Sequence, residues 1–200
     1  MSGIPSRRQR SSKPRQRGLT MIEVMCAMAV LGVGMVSMLA MFSLAIAATN
    51  SAQEDLIAKQ AAAEALESIY TARNSSQLSW DNIQNKANGG IFQDGQQPLL
   101  DAGSDGLDGT VDDLNADSQC PGPAKCLKLP GKDGILGTSD DVWLPLNNFT
   151  RQIQIASVTN PDGSINTSLR QITVTITYTT SQFKLVQKTY SVGGYISQFR

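Results

Sequence analysis

The run RGLTMIEVMCAMAVLGVGMVSMLAMFSLAIAA, residues 17–48, decides the fold of this chain. No charged side chain occurs between residues 24 and 53, and the stretch to residue 48 is almost wholly Ala, Val, Leu, Ile, Met, Phe and Gly. Roughly 20 such residues in a helix cross the hydrocarbon of a bilayer, and this run is longer. Six bases and no acid precede it in residues 1–18 (Arg7, Arg8, Arg10, Lys13, Arg15, Arg17), and Glu54 and Asp55 follow it. The positive-inside rule keeps the N-terminus cytoplasmic and sends residue 50 onward across the membrane. A secretory signal has the same order of parts, and Ala45-Ile46-Ala47 offers an A-x-A cleavage site. The apolar run exceeds the roughly 7 to 15 residues usual for such a signal, however, and Glu23 stands inside its beginning. A carboxylate at membrane depth costs about 2.5 kcal/mol or more, so it calls for a partner, and no cation within the segment supplies one.

The remaining composition narrows the function. Two hundred residues give one ordinary domain plus an appendage. Acids and bases balance at 17 each, but beyond residue 18 the count is 11 bases against 17 acids, a net of −6. A phosphate-tracking surface needs its Lys and Arg on the folded body, so nucleic-acid binding is not expected. His is absent, which removes the usual base near neutral pH, the usual zinc ligand and every Ser-His or Cys-His nucleophile. No Lys or Tyr is placed as an obvious acid or base beside the carboxylates, and the expectation is a protein that is not an enzyme.

Arg17-Gly18-Leu19-Thr20-Met21-Ile22-Glu23-Val24 resembles the prepilin-peptidase site of the type IV pilin and type II secretion pseudopilin superfamily. The resemblance implies cleavage by prepilin peptidase between Gly18 and Leu19, methylation of Leu19, and Glu23 as the fifth mature residue. The physics agrees with it. Cleavage creates an α-ammonium on Leu19, one turn before Glu23, and a helix N-terminus favours negative charge. In a staggered bundle the ammonium of one subunit neutralises the carboxylate of the next, which makes Leu19 and Glu23 assembly residues. Two departures are Leu where major pilins usually carry Phe, and the lack of a helix-bending Pro inside the apolar segment. Ala27, Ala29, Gly32, Gly34, Ser37 and Ala40 allow close helix approach, and Cys26 reads as a packing residue.

The helical pattern continues through Leu56, Ala63, Leu66 and Tyr70, with Ala62 and Ile69 beside them, and ends near Arg73 at Asn74-Ser75-Ser76. That is about 55 residues, or about 80 Å. Residues 62–69 also resemble minor pilins of the PilV type and minor pseudopilins. At the other end, Ile153 and Ile155 alternate with Gln152 and Gln154, Ile172, Val174, Ile176 and Tyr178 with Thr173, Thr175, Thr177 and Thr179, and Val186, Tyr190 and Val192 share a third face. Asn160-Pro161-Asp162-Gly163 supplies the first turn and Thr180-Ser181-Gln182 lies near the second. The apolar sheet face needs a cover, and the helix stripe is the available one. The expected fold is α+β and pilin-like: a long N-terminal helix with a membrane-spanning first half, packed on a small antiparallel β-sheet, with a long irregular loop region between. Its parts are a basic leader (1–18), the transmembrane and assembly half of the helix (19–48), its soluble half (49–76), the loop region (77–148) and the sheet (149–200).

Within that loop region the pattern G-x-D-G-x-x-G-T-x-D-D occurs twice, at 103–113 and, 28 positions later, at 131–141, with seven of eleven positions identical. Ca²⁺ takes six to eight oxygens in a flexible shell. Asp105, Asp112 and Asp113, or Asp133, Asp140 and Asp141, with carbonyls near Leu107 or Ile135, are the candidate ligands. From residue 94 to 141 there are ten acids and three bases, a crowding that a cation relieves. The loops resemble the calcium loop of some major pseudopilins; they also read as plain Asp-Gly turns. Cys120 and Cys126 lie between the copies and suit a local disulfide in an exported compartment.

These readings converge on a structural subunit, minor pilin-like, of a type IV pilus or related filament. Its precursor sits in the bacterial inner membrane with the N-terminus cytoplasmic, and the mature chain is periplasmic or in a cell-surface filament. Its partners are prepilin peptidase, other pilin subunits and an inner-membrane assembly platform. A type II secretion pseudopilin is the alternative; an exported calcium-binding domain on an ordinary signal peptide or anchor is a second.

Overall fold

The computed structural model describes residues 18–115, 118–180 and 186–199. The basic leader up to Arg17, and the second expected turn beyond Thr180, lie outside the described residues. The chain divides into two compact units, residues up to 46 and residues 47–200.

One helix, α1 (Met21–Asn74), runs through both. Its first part carries the apolar run with its side chains exposed, among them Met25, Met28, Leu31, Val33 and Leu39. This helix is long and apolar enough to cross a membrane. It begins where the carbonyl of Thr20 accepts from the amides of Glu23 (3.0 Å) and Val24 (3.2 Å). It stops because Ser76 turns into the left-handed region (φ 66°), and the amide of Leu78 reaches back to the carbonyl of Ala72 at 3.0 Å.

In the second unit, a four-stranded antiparallel sheet has the order β1 (Gln97–Pro98), β4 (Phe149–Thr159), β5 (Ile165–Thr180), β6 (Val186–Ser197). Its last three strands are the expected meander. Asn160 and Gly163 close the first turn, with Gly163 at φ 85° and its amide on the carbonyl of Asn160. The core face of β5 is the one its alternation implies: Ile172, Val174, Ile176 and Tyr178 are buried, and Phe149 and Tyr178 stack with centroids 5.2 Å apart. The fold is α+β, with the helix and the sheet sharing one core.

Two expectations need correction. The buried stripe of the helix is Ile57, Ala58, Ala61, Ala62, Ala65, Ile69 and Ala72, whereas Leu56 and Ala63 are exposed and Leu66 and Tyr70 half-buried. Large side chains suggested one face, but the face that packs in the core is made mostly of alanines, with Ile57 and Ile69. The region 77–148 is also more ordered than a loop. It holds a short 3₁₀ helix (Lys86–Asn88), β1, and a second, two-stranded sheet of β2 (Cys126–Leu129) and β3 (Val142–Pro145).

Polar contacts join the helix to the sheet at both ends. The hydroxyl of Tyr178 donates to Asp55 Oδ1 at 2.6 Å, and Lys188 Nζ donates to the same oxygen at 2.9 Å and to Ser51 Oγ at 2.8 Å. Burial, with the bonded Asp55 carboxylate, pushes the Tyr178 hydroxyl up to about 12. Hydrogen bonds from Tyr178 and Lys188 hold Asp55 below the usual carboxylate range. At the other end Arg73 donates to the carbonyl of Ser197 at 2.6 Å.

Candidate functional site

Two regions carry the residues singled out in the sequence. In the first unit, Gly18, Leu19 and Thr20 precede the helix, and Glu23 lies in its first turn. Leu19 is exposed (73%). Gly32 and Gly34 have open space where a Cβ would stand, and Cys26 is exposed.

The second region is the pair of Asp/Gly loops, and both copies fold alike. Asp105 Oδ1 accepts from the amide of Leu107 at 2.8 Å, and Asp133 Oδ1 from that of Ile135 at 2.8 Å. Thr110 donates its hydroxyl to Asp112 Oδ1 at 2.6 Å, and Thr138 to Asp140 Oδ1 at 2.7 Å. Asp112 Oδ2 accepts from the amide of Asp105 at 3.2 Å, and Asp140 Oδ2 from that of Asp133 at 3.3 Å. Asp113 and Asp141 each close a turn on an amide at 2.7 Å, those of Gly109 and Gly137. The second and third glycines of each copy have positive φ, and a Cβ on the first, Gly103 or Gly131, would overlap the carbonyl of Asp112 or Asp140. Every one of the seven identical positions therefore has a conformational task, and the likeness of the copies does not by itself require a cation.

What differs is the setting. Arg151, on the core face of β4 and 3% exposed, donates from Nη1 to Asp108 Oδ1 at 2.7 Å and from Nη2 to Asp113 Oδ2 at 2.8 Å. Asp108 is 2% exposed, and burial pushes its carboxyl up against the pull of Arg151. Leu107 joins the core, so the first copy is locked into the head. In the second copy Leu136 stands where the first has Asp108, Lys128 pairs with Asp141 at 3.1 Å, and Ile135 and Leu136 are 60% and 59% exposed. Asp141 Oδ1 is buried without a hydrogen-bond partner. Among the described residues no group of three or more His, Cys, Asp or Glu side chains is gathered to hold a metal. Cys120 and Cys126 are joined by a disulfide, and the carbonyl of Ala124 lies against the Cys120 sulfur.

Arg151 and Asp108 escaped the sequence reading. The signal was present: Arg151 falls in phase with Ile153 and Ile155, and a charge on a core face demands buried counter-charges.

Residues 13–39 match the family model of the prokaryotic N-terminal methylation motif. That motif supports the type IV pilin and pseudopilin class for this chain, with processing by prepilin peptidase and assembly with other pilins in a membrane. No curated protein and no solved structure matches the chain.

Two outcomes are expected. Arg151→Met leaves two buried carboxylates unpaired and costs about 3–5 kcal/mol, whereas Lys128→Met takes a part-exposed lysine from the single buried carboxylate of Asp141 and costs less, about 1–3 kcal/mol; denaturation midpoints of the detergent-solubilised chain measure both. The Thr110 and Ser104 hydroxyls hold the Asp112 carboxyl down at about 2. Since this lies below the unfolded value of about 3.9, the stabilisation is complete above about pH 4 and is lost as pH falls toward about 2. Melting temperatures across that window are expected to depend less on pH in Asp112→Asn than in the parent.

Proposed function

We propose that this chain is a structural, minor pilin-like subunit of a type IV pilus or related filament. One observation carries the reading: a methylation motif is followed, without a break in the helix, by an apolar run and then by the alanine face on which the head is built. In this reading prepilin peptidase cuts between Gly18 and Leu19 at the cytoplasmic face of the inner membrane, and Leu19 is methylated. The freed ammonium of one subunit meets Glu23 of its neighbour, and the chain leaves the bilayer laterally through its helix. Glu23 is then a selector for correct stagger, since a misplaced helix leaves a carboxylate unpaired in an apolar setting. Leu19 in place of Phe and the unbroken apolar helix favour a minor subunit. Within the same class, co-purification with secretion components marks the pseudopilin alternative.

The loops enter the proposal as a Ca²⁺ site. In the first copy Arg151 already supplies positive charge to Asp108 and Asp113. In the second, Asp133, Asp140 and Asp141 have a single lysine at 3.1 Å from Asp141, whose Oδ1 is buried and unpartnered. The second copy is therefore the better fit, with the Ile135 carbonyl as a further oxygen donor. A bound cation there stiffens the loop by drawing together oxygens that now face amides and hydroxyls.

Intact mass and N-terminal sequence of the protein from its native envelope test the filament reading. A methylated Leu19 is expected, and Glu23→Ala is expected to be cut at the same place yet excluded from filaments. A chain beginning near Ala48, or retaining Met1, overturns it. For the loops, Ca²⁺ is expected to raise the melting temperature of the full chain in detergent, and Asp141→Asn to remove the increment. A melt unchanged between chelator and millimolar Ca²⁺ refutes the site.

A further inference from the structure

Near the start of the second unit, Asn50, Gln53, Glu54 and Ile57 stand at i, i+3, i+4 and i+7, on one face of α1. Together with the end of β3 and the start of β4 they line a cleft of about 300 Å³. Its floor, Ile57, Leu146 and Phe149, is already buried in the core, so the cleft calls for no apolar cover. What it lacks is a charge. Glu54 is half-buried, and its Oε2 is shut off from solvent without a hydrogen-bond partner. Among the described residues Glu54 joins no ion pair. The nearest cation, Lys188, is bonded to Asp55 and Ser51 instead.

A carboxylate removed from water needs a counter-charge or donors on both oxygens. Burial pushes the Glu54 carboxyl up, against the pull of Lys188 and a hydrogen bond from Asn148. Because Glu54 lines the cleft, a cation that enters reaches a carboxyl the chain itself leaves short of a partner. We propose that this cleft receives the ammonium of a lysine side chain from a different pilin subunit.

The chemistry of the cleft selects that occupant. The four-carbon stem of a lysine lies along Leu144 and the apolar floor, while its three N–H donors meet Glu54 and the side-chain oxygens of Asn50 and Gln53. A guanidinium fork fits both oxygens of a carboxylate, but here Asn148 already bonds the group. A lipid ethanolamine brings a phosphate beside its ammonium, which Glu54 and Asp55 repel. A second copy of this chain is a poor source as well. Most of its described cations are committed within the chain: Arg73, Lys125, Lys128, Arg151, Arg170 and Lys188. Beyond residue 18 the chain carries 11 bases and 17 acids, a net of −6, so two copies repel where a more basic chain is attracted. The partner's identity rests on the filament reading above, to which this contact adds one made by the head.

The test treats the full-length chain in its native envelope with a water-soluble carbodiimide. This reagent joins a carboxylate to a lysine amine in contact with it as an amide and takes up the water released. Peptide mapping is expected to find Glu54 joined to a lysine of another pilin. Glu54→Arg is expected to lower co-purification of that pilin about tenfold, and reversal of the mapped lysine to Glu to restore it. In detergent, Glu54→Gln is expected to melt at the parent's temperature or above it, since it removes a carboxylate with an unpaired oxygen. A melt several degrees lower makes Glu54 a residue of the fold and overturns the inference. So does the absence of the amide, an amide to lipid or only to another copy of this chain, or a failure of the reversed pair to restore co-purification. The N-terminus is read on the same sample: a methylated Leu19 without the amide sinks the docking alone, and an unprocessed chain sinks the filament reading and with it the partner.

Discussion

The apolar face of β5, with Ile172, Val174 and Ile176 at zero exposure, is kept from water by the alanine face of α1 at residues 58, 61, 62 and 65. At about 25 cal/mol per Å² of apolar surface, this contact is the main source of stability available to a head of this size. The small side chains of the helix leave the interface to be filled by the larger side chains of the sheet. The helix ends are then held by directional contacts, Tyr178 and Lys188 on Asp55 at one side and Arg73 on Ser197 at the other. Those contacts act together with the burial of one face to fix the rotation of the helix. The same helix also carries the exposed apolar run that starts at Met21.

A second layer depends on Arg151. Placed on the core face of β4 beside Phe149 and Ile153, its guanidinium is stable only with carboxylates brought to it, and Asp108 and Asp113 of the first loop do this. Removing water from three charges is costly, and their close pairing offsets that cost. One loop is thereby drawn into the head as part of its wall. The second loop has the same internal bonds but an exposed setting, so two copies of one turn serve two ends: the first closes the core, and the second stands at the tip of a ribbon with its apolar residues in solvent.

The chain thus combines an exposed apolar helix segment with a head that closes on its own core. The helix residues before the head are mostly small or apolar and exposed, and Glu23 is the one charged residue from 19 to 53. The head, in contrast, is specified by pairs that tolerate little displacement. Loop 131–141 lies at the margin between these regimes: ordered by its own hydrogen bonds, yet free of the core.

The long apolar helix, the methylation motif, the meander of β4 to β6, the two Asp/Gly turns and the α+β class were legible in the residues. Each is written locally, in a run of apolar side chains, a period of two, or a fixed spacing of Gly, Asp and Thr, and local patterns survive without knowledge of the fold. Which face of the helix is buried was misread by one residue, since Leu56 and Leu66 outweigh alanines in any count of hydrophobicity, whereas the buried face is made mostly of alanines. The ribbon of β2 and β3 was missed because strands of four residues carry too little periodicity to stand out from turns. The roles of the two loops were beyond the sequence as well. Their identical positions encode the turn they share, whereas burial of one and exposure of the other follow from a single long-range event, the meeting of Arg151 with Asp108 and Asp113 across some forty residues of chain, and only the tertiary structure brings those charges together.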